Sequence, residues 1–459
     1  MTTEQLLEKH TAAFSEHRER QPSASRAKVA YVMSRFPKLT ETFILYEILA
    51  LEQQGVQVEL YPLLRARATV VHAEGASLWK KLVERVSKPQ GTVVMHPEAT
   101  PLVERAHFQP FLSRRILRAH LHFLRRKPQA YLGTLWTLLR ANWGSPNFFV
   151  GALGIFPKTV YFASLMETDG ITHVHAHFAN HPAAAAFIIH RLAGIPYSFT
   201  AHGADLQVDQ HMLREKVAEA AFVVTISNHN KELIVTTCGD EFRDKLVVIH
   251  CGVDTQVFQP RGADHHRARL PGPFTILCIG TMYEVKGHTY LIEACRLLKE
   301  RGVNFVCRLV GDGPDRPRLV EQVAQAGLAA QMHFDGTRTR RQVAELLQQA
   351  DVLSVPSIPT TSGRREGIPV VLMEAMASGV PVVASGISGI PELVDDGQSG
   401  LLVPPRDAVA LADALKRLHD DLGLRRRLGQ GGRDTVTRKF DLTTNAAALA
   451  QRFTAEVGS

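Results

Sequence analysis

EGIPVVLMEAMASGVPVVAS, residues 366–385, holds a complete passage from loop to helix to strand. Pro369 suits a first helical position, where its fixed φ is already helical and its missing N–H would be unpaired anyway, and Gly379 suits a C-terminal cap. The spacing therefore predicts a helix over about 369–378, followed by the strand PVVAS. Read outward, the same alternation continues on both sides. Before it come FTILCIG (274–280), a helix through YLIEACRLLKERG, NFVCRLVG (304–311), QMHFDG, a helix at RQVAELLQQA and DVLSVPS; after it comes GLLVP. These strands are apolar enough to be buried on both faces, as in a parallel sheet covered by helices. An earlier series has the same character: VAYVMS, ETFILYEILALEQQG, VQVELYPL, THVHAHF, YSFTAHG, FVVTIS and LVVIHCG. The fold class is α/β, with two Rossmann-like doubly wound parallel-sheet domains facing a cleft.

Boundaries follow from composition. Residues 1–27 read as a polar leader, 28–260 as a first domain with a basic helical insertion at about 101–165, and 261–274 as a Gly-, Pro- and charge-rich linker. Residues 275–440 make a second domain, and 441–459 a terminal helix that packs back on the first. At 459 residues and 45% hydrophobic content, the chain is long enough for two cores and too apolar for a disordered one. Its net charge is +8, and 101–145 alone carries +7 of it, which argues against a global polycation for nucleic acid and for a local attraction to phosphate or anionic lipid. Pro128 is expected to split the Arg-, Leu- and aromatic-rich run 108–165 into two helices, and two readings of that run stay open: a helical insertion with solvated arginines, and an interfacial surface resting on an anionic membrane. Five cysteines, with no C-x-x-C among them, read as small buried residues. No basic-then-apolar leader and no uninterrupted apolar run of about 18 residues is found, so a cytoplasmic protein is expected.

Chemistry concentrates at the strand ends. At the positive end of the 369–378 helix, backbone amides around Gly367, Ile368 and Val370 suit a diphosphate, and Gly367 permits close approach. Glu366 and Glu374 flank that place and can accept hydrogen bonds from hydroxyls; the plainer reading is two surface glutamates on a capped helix. His202, after a strand and before a glycine, is expected to protrude into a cleft; the plainer reading is a core histidine. His173, His175 and His177 share one strand face, but no Asp, Glu or Cys signature accompanies them, so no metal is expected and His177 is read as lining the cleft. Gly311-Asp-Gly313 lacks the third glycine of a dinucleotide loop, since position 316 is Arg, and no P-loop occurs.

The E-x7-E arrangement from Glu366 to Glu374 resembles the C-terminal domain of the retaining, nucleotide-sugar-dependent glycosyltransferases of GT-B fold known as family 4. Further segments match in order: a Gly280-to-Lys286-Gly287 loop, LVGDGP (309–314), ADVLSVPS (350–357), SGISGIPELVDDGQSGLLVPP (385–405), VVTISN (223–228), VVIHCGVDTQVFQP (247–260) and TAHGADL (200–206). The resemblance spans about 28–440, and SRFPKLTETF (34–43) looks like the subgroup that builds bacterial exopolysaccharides such as colanic acid. It implies catalytic roles for His202 and Glu366, with Glu366 on the donor sugar's hydroxyls and Glu374 on the ribose of the donor nucleotide. Lys286 would meet the diphosphate beside Gly280, Gly367, Ile368, Pro369 and Val370. His177, Asp205, Thr281, Gly311, Gly313 and Arg338 form a secondary set, with Asp205 orienting its loop. Thr281 stands where the family commonly has Arg, so Arg338 or Arg340 is the candidate for the second cationic contact.

The implied reaction moves a sugar from a UDP- or GDP-sugar, without cofactor or metal, to a saccharide or polyprenyl-diphosphate-linked acceptor, with retained configuration. It would occur in the cytoplasm or at the inner face of the plasma membrane. A nucleotide-sugar epimerase of the same shape and an idle sugar- or lipid-binding scaffold are the rival readings. A glycogen or starch synthase is disfavoured, because its K-x-G-G loop is absent from KVAYVMSRFP.

Overall fold

The first sheet is built around KVAYVMSRF, whose Val29, Ala30, Tyr31 and Val32 are wholly buried, as expected of a strand covered on both faces. The computed structural model describes residues 27–37, 41–65, 97–109, 113–207, 209–260 and 272–457. The leader and most of the linker expected at 261–274 lie outside them. Strands β1 (Lys28–Phe36), β2 (Gln57–Arg65), β3 (His173–His177), β4 (Tyr197–Ala201), β5 (Phe222–Thr225) and β6 (Leu246–Val248) form a parallel sheet in the order β2-β1-β3-β4-β5-β6. The second sheet comprises β7 (Phe274–Ile279), β8 (Phe305–Val310), β9 (Met332–Gly336), β10 (Val352–Val355), β11 (Val382–Ser385) and β12 (Leu401–Val403). Its order is β12-β11-β10-β7-β8-β9, again parallel. The order reverses at β1/β3 and at β7/β10, and a crevice opens beyond the strand C-termini at such a point.

The helix that decided the fold runs over Val370–Ala377, one residue shorter at each end than expected. Pro369, with φ −64° and ψ 124°, is its N-cap, because the extended ψ turns the chain into the helix without joining it. Gly379, at φ 72°, sits beyond the C-cap Ser378 and donates to the Met376 carbonyl at 3.0 Å.

The basic insertion is helical: Thr100–Arg105, Arg114–Arg126, Pro128–Ala141 and Pro146–Asp169. Pro128 opens its helix at the first turn and separates it from Arg114–Arg126 as expected, but a second break at 142–145, where Ser145 caps the next helix, makes three helices of the run where two were expected. The last of these helices departs from expectation: at 24 residues it is long and apolar enough to cross a membrane by length and composition. Its inner face nevertheless belongs to the first-domain core, where Val160, Phe162, Ala163 and Met166 are fully buried and the helix packs against His181–Ala193.

The terminal helix Leu442–Val457 leaves the second domain and lies on Thr42–Gln53 and β3 of the first. Phe453 is fully buried there, its ring 5.3 Å from both His173 and His175 and 6.1 Å from Phe222. Burying an aromatic of this size is worth about 1.5–3 kcal/mol. The two chain crossings touch: Val253 N–H donates to the Phe440 carbonyl at 2.9 Å, and Leu442 N–H to the Val253 carbonyl at 3.1 Å. Gly252 makes that possible, since a Cβ there would fall 2.3 Å from the Leu442 Cα.

Candidate active site

Second-domain candidates gather at the C-terminal edge of their sheet. Gly280 follows β7, and a Cβ there would lie 3.3 Å from Cε of Lys286, so its lack of side chain lets the lysine stem fold over the turn. Lys286 ends a short turn, Glu284–Lys286, and its Nζ donates to Glu366 Oε2 at 2.9 Å, with both side chains largely shielded. Gly311 and Gly313 serve packing: Cβ atoms there would stand 2.0 Å from the Gly280 carbonyl and 2.5 Å from that of Met282. The loops after β7 and β8 are therefore interlocked, through Met282 N–H to the Asp312 carbonyl and Asp315 N–H to the Met282 carbonyl. Thr281 stays at this turn, its carbonyl accepting from Tyr283 N–H. Glu366 and Gly367 lie just ahead of the helix Val370–Ala377. Among the described residues, no protein group accepts from the amides of Gly367, Ile368 and Val370. The helix start thus presents unpaired donors beside a lysine.

Glu374 occupies the second turn of the same helix, partly buried and without a hydrogen-bond partner for its carboxyl among the described residues. Burial pushes its pKa up to about 7, against the pull of Arg340. Arg340 opens the helix Arg340–Leu347. Its guanidinium carbon stands 3.8 Å from the centre of the Tyr46 ring and 5.4 Å from that of Phe258, and it reaches Asp254 at 3.3 Å. Of the two arginines expected near the diphosphate, Arg340 belongs instead to the Glu374 side. Arg338 is half-buried and forms no ion pair among the described residues. The Tyr46 hydroxyl is buried beside Arg340, and burial raises its pKa to about 12 against the pull of that guanidinium.

On the first-domain side the three β3 histidines form a ladder with β4. His173 Nε2 and His175 Nδ1 share the Ser198 hydroxyl at 2.7 and 2.8 Å, and His175 Nε2 meets the Thr200 hydroxyl at 2.9 Å. Next in line, His177 Nδ1 meets His202 Nε2 at 3.0 Å, and His177 Nε2 meets Glu47 Oε1 at 3.0 Å. Tyr31 donates to the same Glu47 oxygen at 2.8 Å. Ligand atoms of Glu47, His175 and His177 lie within 4.8 Å of one another. Yet both nitrogens of His175 are engaged by hydroxyls, so this donor set is already used for hydrogen bonding. Burial lowers His173 to about 3 and holds His175 and His202 well below the usual imidazole range, so these rings are neutral.

The expected protrusion of His202 is corrected. Its ring lies among Phe43, Phe178 and His177, at centroid distances of 4.7, 4.6 and 5.3 Å, with Nδ1 4.0 Å from Cys251 Sγ. What His202 presents to the other domain is its main chain: a Cβ on Gly367 would be 2.5 Å from the His202 carbonyl. Asp205 holds this loop. Its carboxylate accepts from the amides of His202 and Gly203 at 3.0 and 2.8 Å and from that of Ala179 at 2.6 Å.

The domains meet at this point. Gly203, at φ 114°, faces Gly367 Cα and the Asn230 side chain. Glu392 accepts from both the amide and the side chain of Asn228 and from the amide of His229, capping a first-domain helix from the second domain. The sequence reading missed Glu47, Tyr46 and Asn230. Asn230 is 1% exposed and neither end of its amide has a partner, an expensive arrangement beside the seam. A cavity of about 370 Å³, lined by Tyr283, His288, Asp315 and Arg318 among others, contains none of the candidate donor residues.

Residues 40–257 match the sequence profile of Glycosyltransferase Family 4, and 263–435 that of Glycosyl transferases group 1. Over 415 residues the chain is 31% identical to the colanic acid biosynthesis glycosyltransferase WcaL of Salmonella typhimurium, covering 86% of this chain and 92% of that protein. It is 36% identical over 225 residues to the amylovoran biosynthesis glycosyltransferase AmsK of Erwinia amylovora, covering 47% and 53% of the two chains. Among solved structures, Anabaena HepE in complex with UDP matches with a TM-score of 0.63 at 16% identity, over 93% of this chain and 100% of that one. Sucrose-phosphate synthase from Thermosynechococcus elongatus matches with 0.64 at 20%, over 94% and 99%. At such identities these structures show the shared two-domain fold.

Proposed function

The chain belongs to glycosyltransferase family 4, with the GT-B fold, and from that premise we propose that it moves a sugar from a nucleoside-diphosphate sugar to a saccharide hydroxyl in exopolysaccharide biosynthesis, retaining the anomeric configuration. The observation that carries this reading is the Lys286–Glu366 pair beside the unpaired amides that lead into the helix Val370–Ala377. A diphosphate entering there takes Lys286 and the amides as partners, and Glu366, released from the lysine, accepts from the sugar's hydroxyls. Glu374, on the same helix, is the acceptor for the ribose. As the bond from the anomeric carbon to phosphate oxygen breaks, charge grows on the diphosphate where a cation and helix donors already point, and interactions that strengthen in this way lower the barrier. The acceptor oxygen bonds the anomeric carbon on the same face, and its proton passes to the departing phosphate oxygen. His202 and Glu47 act behind this centre, fixing the loop whose carbonyl meets Gly367. The colanic acid and amylovoran names of the relatives, and the UDP-bound HepE structures, support this donor and product class. The acceptor class is a saccharide on a polyprenyl diphosphate, used at the inner face of the plasma membrane.

The reaction uses no metal in this reading, so transfer is expected to persist unchanged in excess EDTA, and loss of turnover on chelation would refute that part. Proton NMR of the product is expected to show the donor's anomeric configuration; inversion would remove the front-side mechanism. Incubation without acceptor separates transfer from epimerisation, since an epimerase yields a new nucleotide sugar. A thermal-shift panel of UDP, GDP, ADP and their sugars identifies the donor, because a ligand at 100 times its Kd stabilises by about 2.7 kcal/mol.

A further inference from the structure

Residues 106–166 form a run of 61 positions without one Asp or Glu, carrying seven arginines and lysines between 114 and 140 and Lys158 beyond. The fold turns this run into three successive helices that pack on one another, Arg114–Arg126, Pro128–Ala141 and Pro146–Asp169, with His120, Tyr131 and Phe156 in the seam between them. In Arg114–Arg126 the inward positions are Ile116, Ala119 and Phe123, leaving a second apolar stripe outside: Leu117, Leu121 and Leu124, 61%, 41% and 43% exposed. The next helix exposes Leu132 and Trp136 one turn apart, and Trp143 follows at 77%. Eight of the twelve large hydrophobic side chains found exposed in the described residues lie between 117 and 153. Soluble proteins seldom gather exposed leucine and tryptophan in this way without a partner.

The charge identifies the partner. Arg114, Arg115, Arg118, Arg125 and Arg126 are exposed, and none pairs with a carboxylate among the described residues. An apolar stripe interleaved with unpaired guanidinium groups, with Glu167 held at its edge by Lys127, complements an anionic bilayer surface, where leucine and tryptophan enter the acyl boundary and arginines remain at the headgroups. The geometry points to this three-helix insertion as a docking surface for anionic phospholipid, which holds the enzyme in the plane of the membrane. The inner face of the apolar helix Pro146–Asp169 belongs to the protein core, so in this proposal the helix supports the surface and does not cross the bilayer.

The test uses the full chain and sedimentation with vesicles of phosphatidylcholine alone or with one-quarter phosphatidylglycerol. Binding is expected only to the anionic vesicles and is expected to weaken as salt rises. Replacing Arg114, Arg115, Arg118, Arg125 and Arg126 together by Gln is expected to reduce binding at least about tenfold, and Leu132→Ser with Trp136→Ser to reduce it independently at low salt. Both variants should keep the parent's donor turnover with a water-soluble acceptor, which shows that they fold. Equal binding to neutral vesicles, or binding unchanged in both variants, overturns the proposal. So does a parent dimer in sedimentation velocity that the Leu132→Ser, Trp136→Ser variant dissociates without altered vesicle binding, because the face would then be covered by a second copy of this chain.

Discussion

With Lys286 replaced by alanine, kcat falls by about 10²–10³-fold, the loss that follows removal of one preorganised group from a developing anion. Structure gives the reason for expecting a catalytic effect. Lys286 is held over Gly280, its stem 3.3 Å from where a Cβ would stand, so the ammonium is already placed before the donor arrives. The same change frees Glu366 from the one cation it pairs with among the described residues and leaves a carboxylate beside the diphosphate, which adds repulsion to the lost attraction. Lys286→Ala with Glu366→Gln separates the two: the double variant regains affinity for the bare nucleoside diphosphate while kcat stays low. Steady-state kinetics and nucleotide titration measure both quantities. Turnover within threefold of the parent would remove Lys286 from the leaving-group site.

The second large effect concerns Glu374. Its folded pKa of about 7 stands above its usual 4.5, so between those values the folded protein holds a proton that the unfolded chain has released. Stability tied to this group is therefore fully present below about pH 4.5 and declines as pH rises toward 7, by on the order of 2 kcal/mol once solvent access to the partly buried group is allowed for. Glu374→Gln removes that slope, and melting curves of the two proteins should converge at low pH and separate near pH 7.5, with the variant higher. Ribose hydroxyls donate to the ionised form, so nucleotide binding near pH 7 releases part of a proton, which calorimetry in buffers of different ionisation enthalpy reads directly. Parallel melting curves, or binding without proton release, would show that Glu374 is not the ribose acceptor.

Much of this architecture was legible because its signals are local. Strand–helix alternation and strands apolar on both faces follow from a parallel sheet's burial, and the 366–385 stretch carries its own start and stop residues. Even the error at Pro369 is small: its ring suits either the first helical residue or the cap, and only ψ decides. His202 was misread although a signal existed. Ser198, Thr200 and His202 fall two apart on the strand and just beyond it, and share the face that meets the β3 histidines, so parity alone places the ring inward. Glu47 had a comparable signal, since it lies three residues after Ile44 and four before Leu51, on the buried side of its helix. Tyr46 and Asn230 had none. Their importance arises where two domains meet, and neither spacing nor composition encodes that meeting.

The paired crossings at Val253 and Leu442, bonded to each other and relieved of bulk at Gly252, restrict what the halves can do. A single flexible strap would leave each half free to tumble about the other. Two crossings bonded side by side tie the halves at a shared point, so any swing of one half against the other must turn about these bonds.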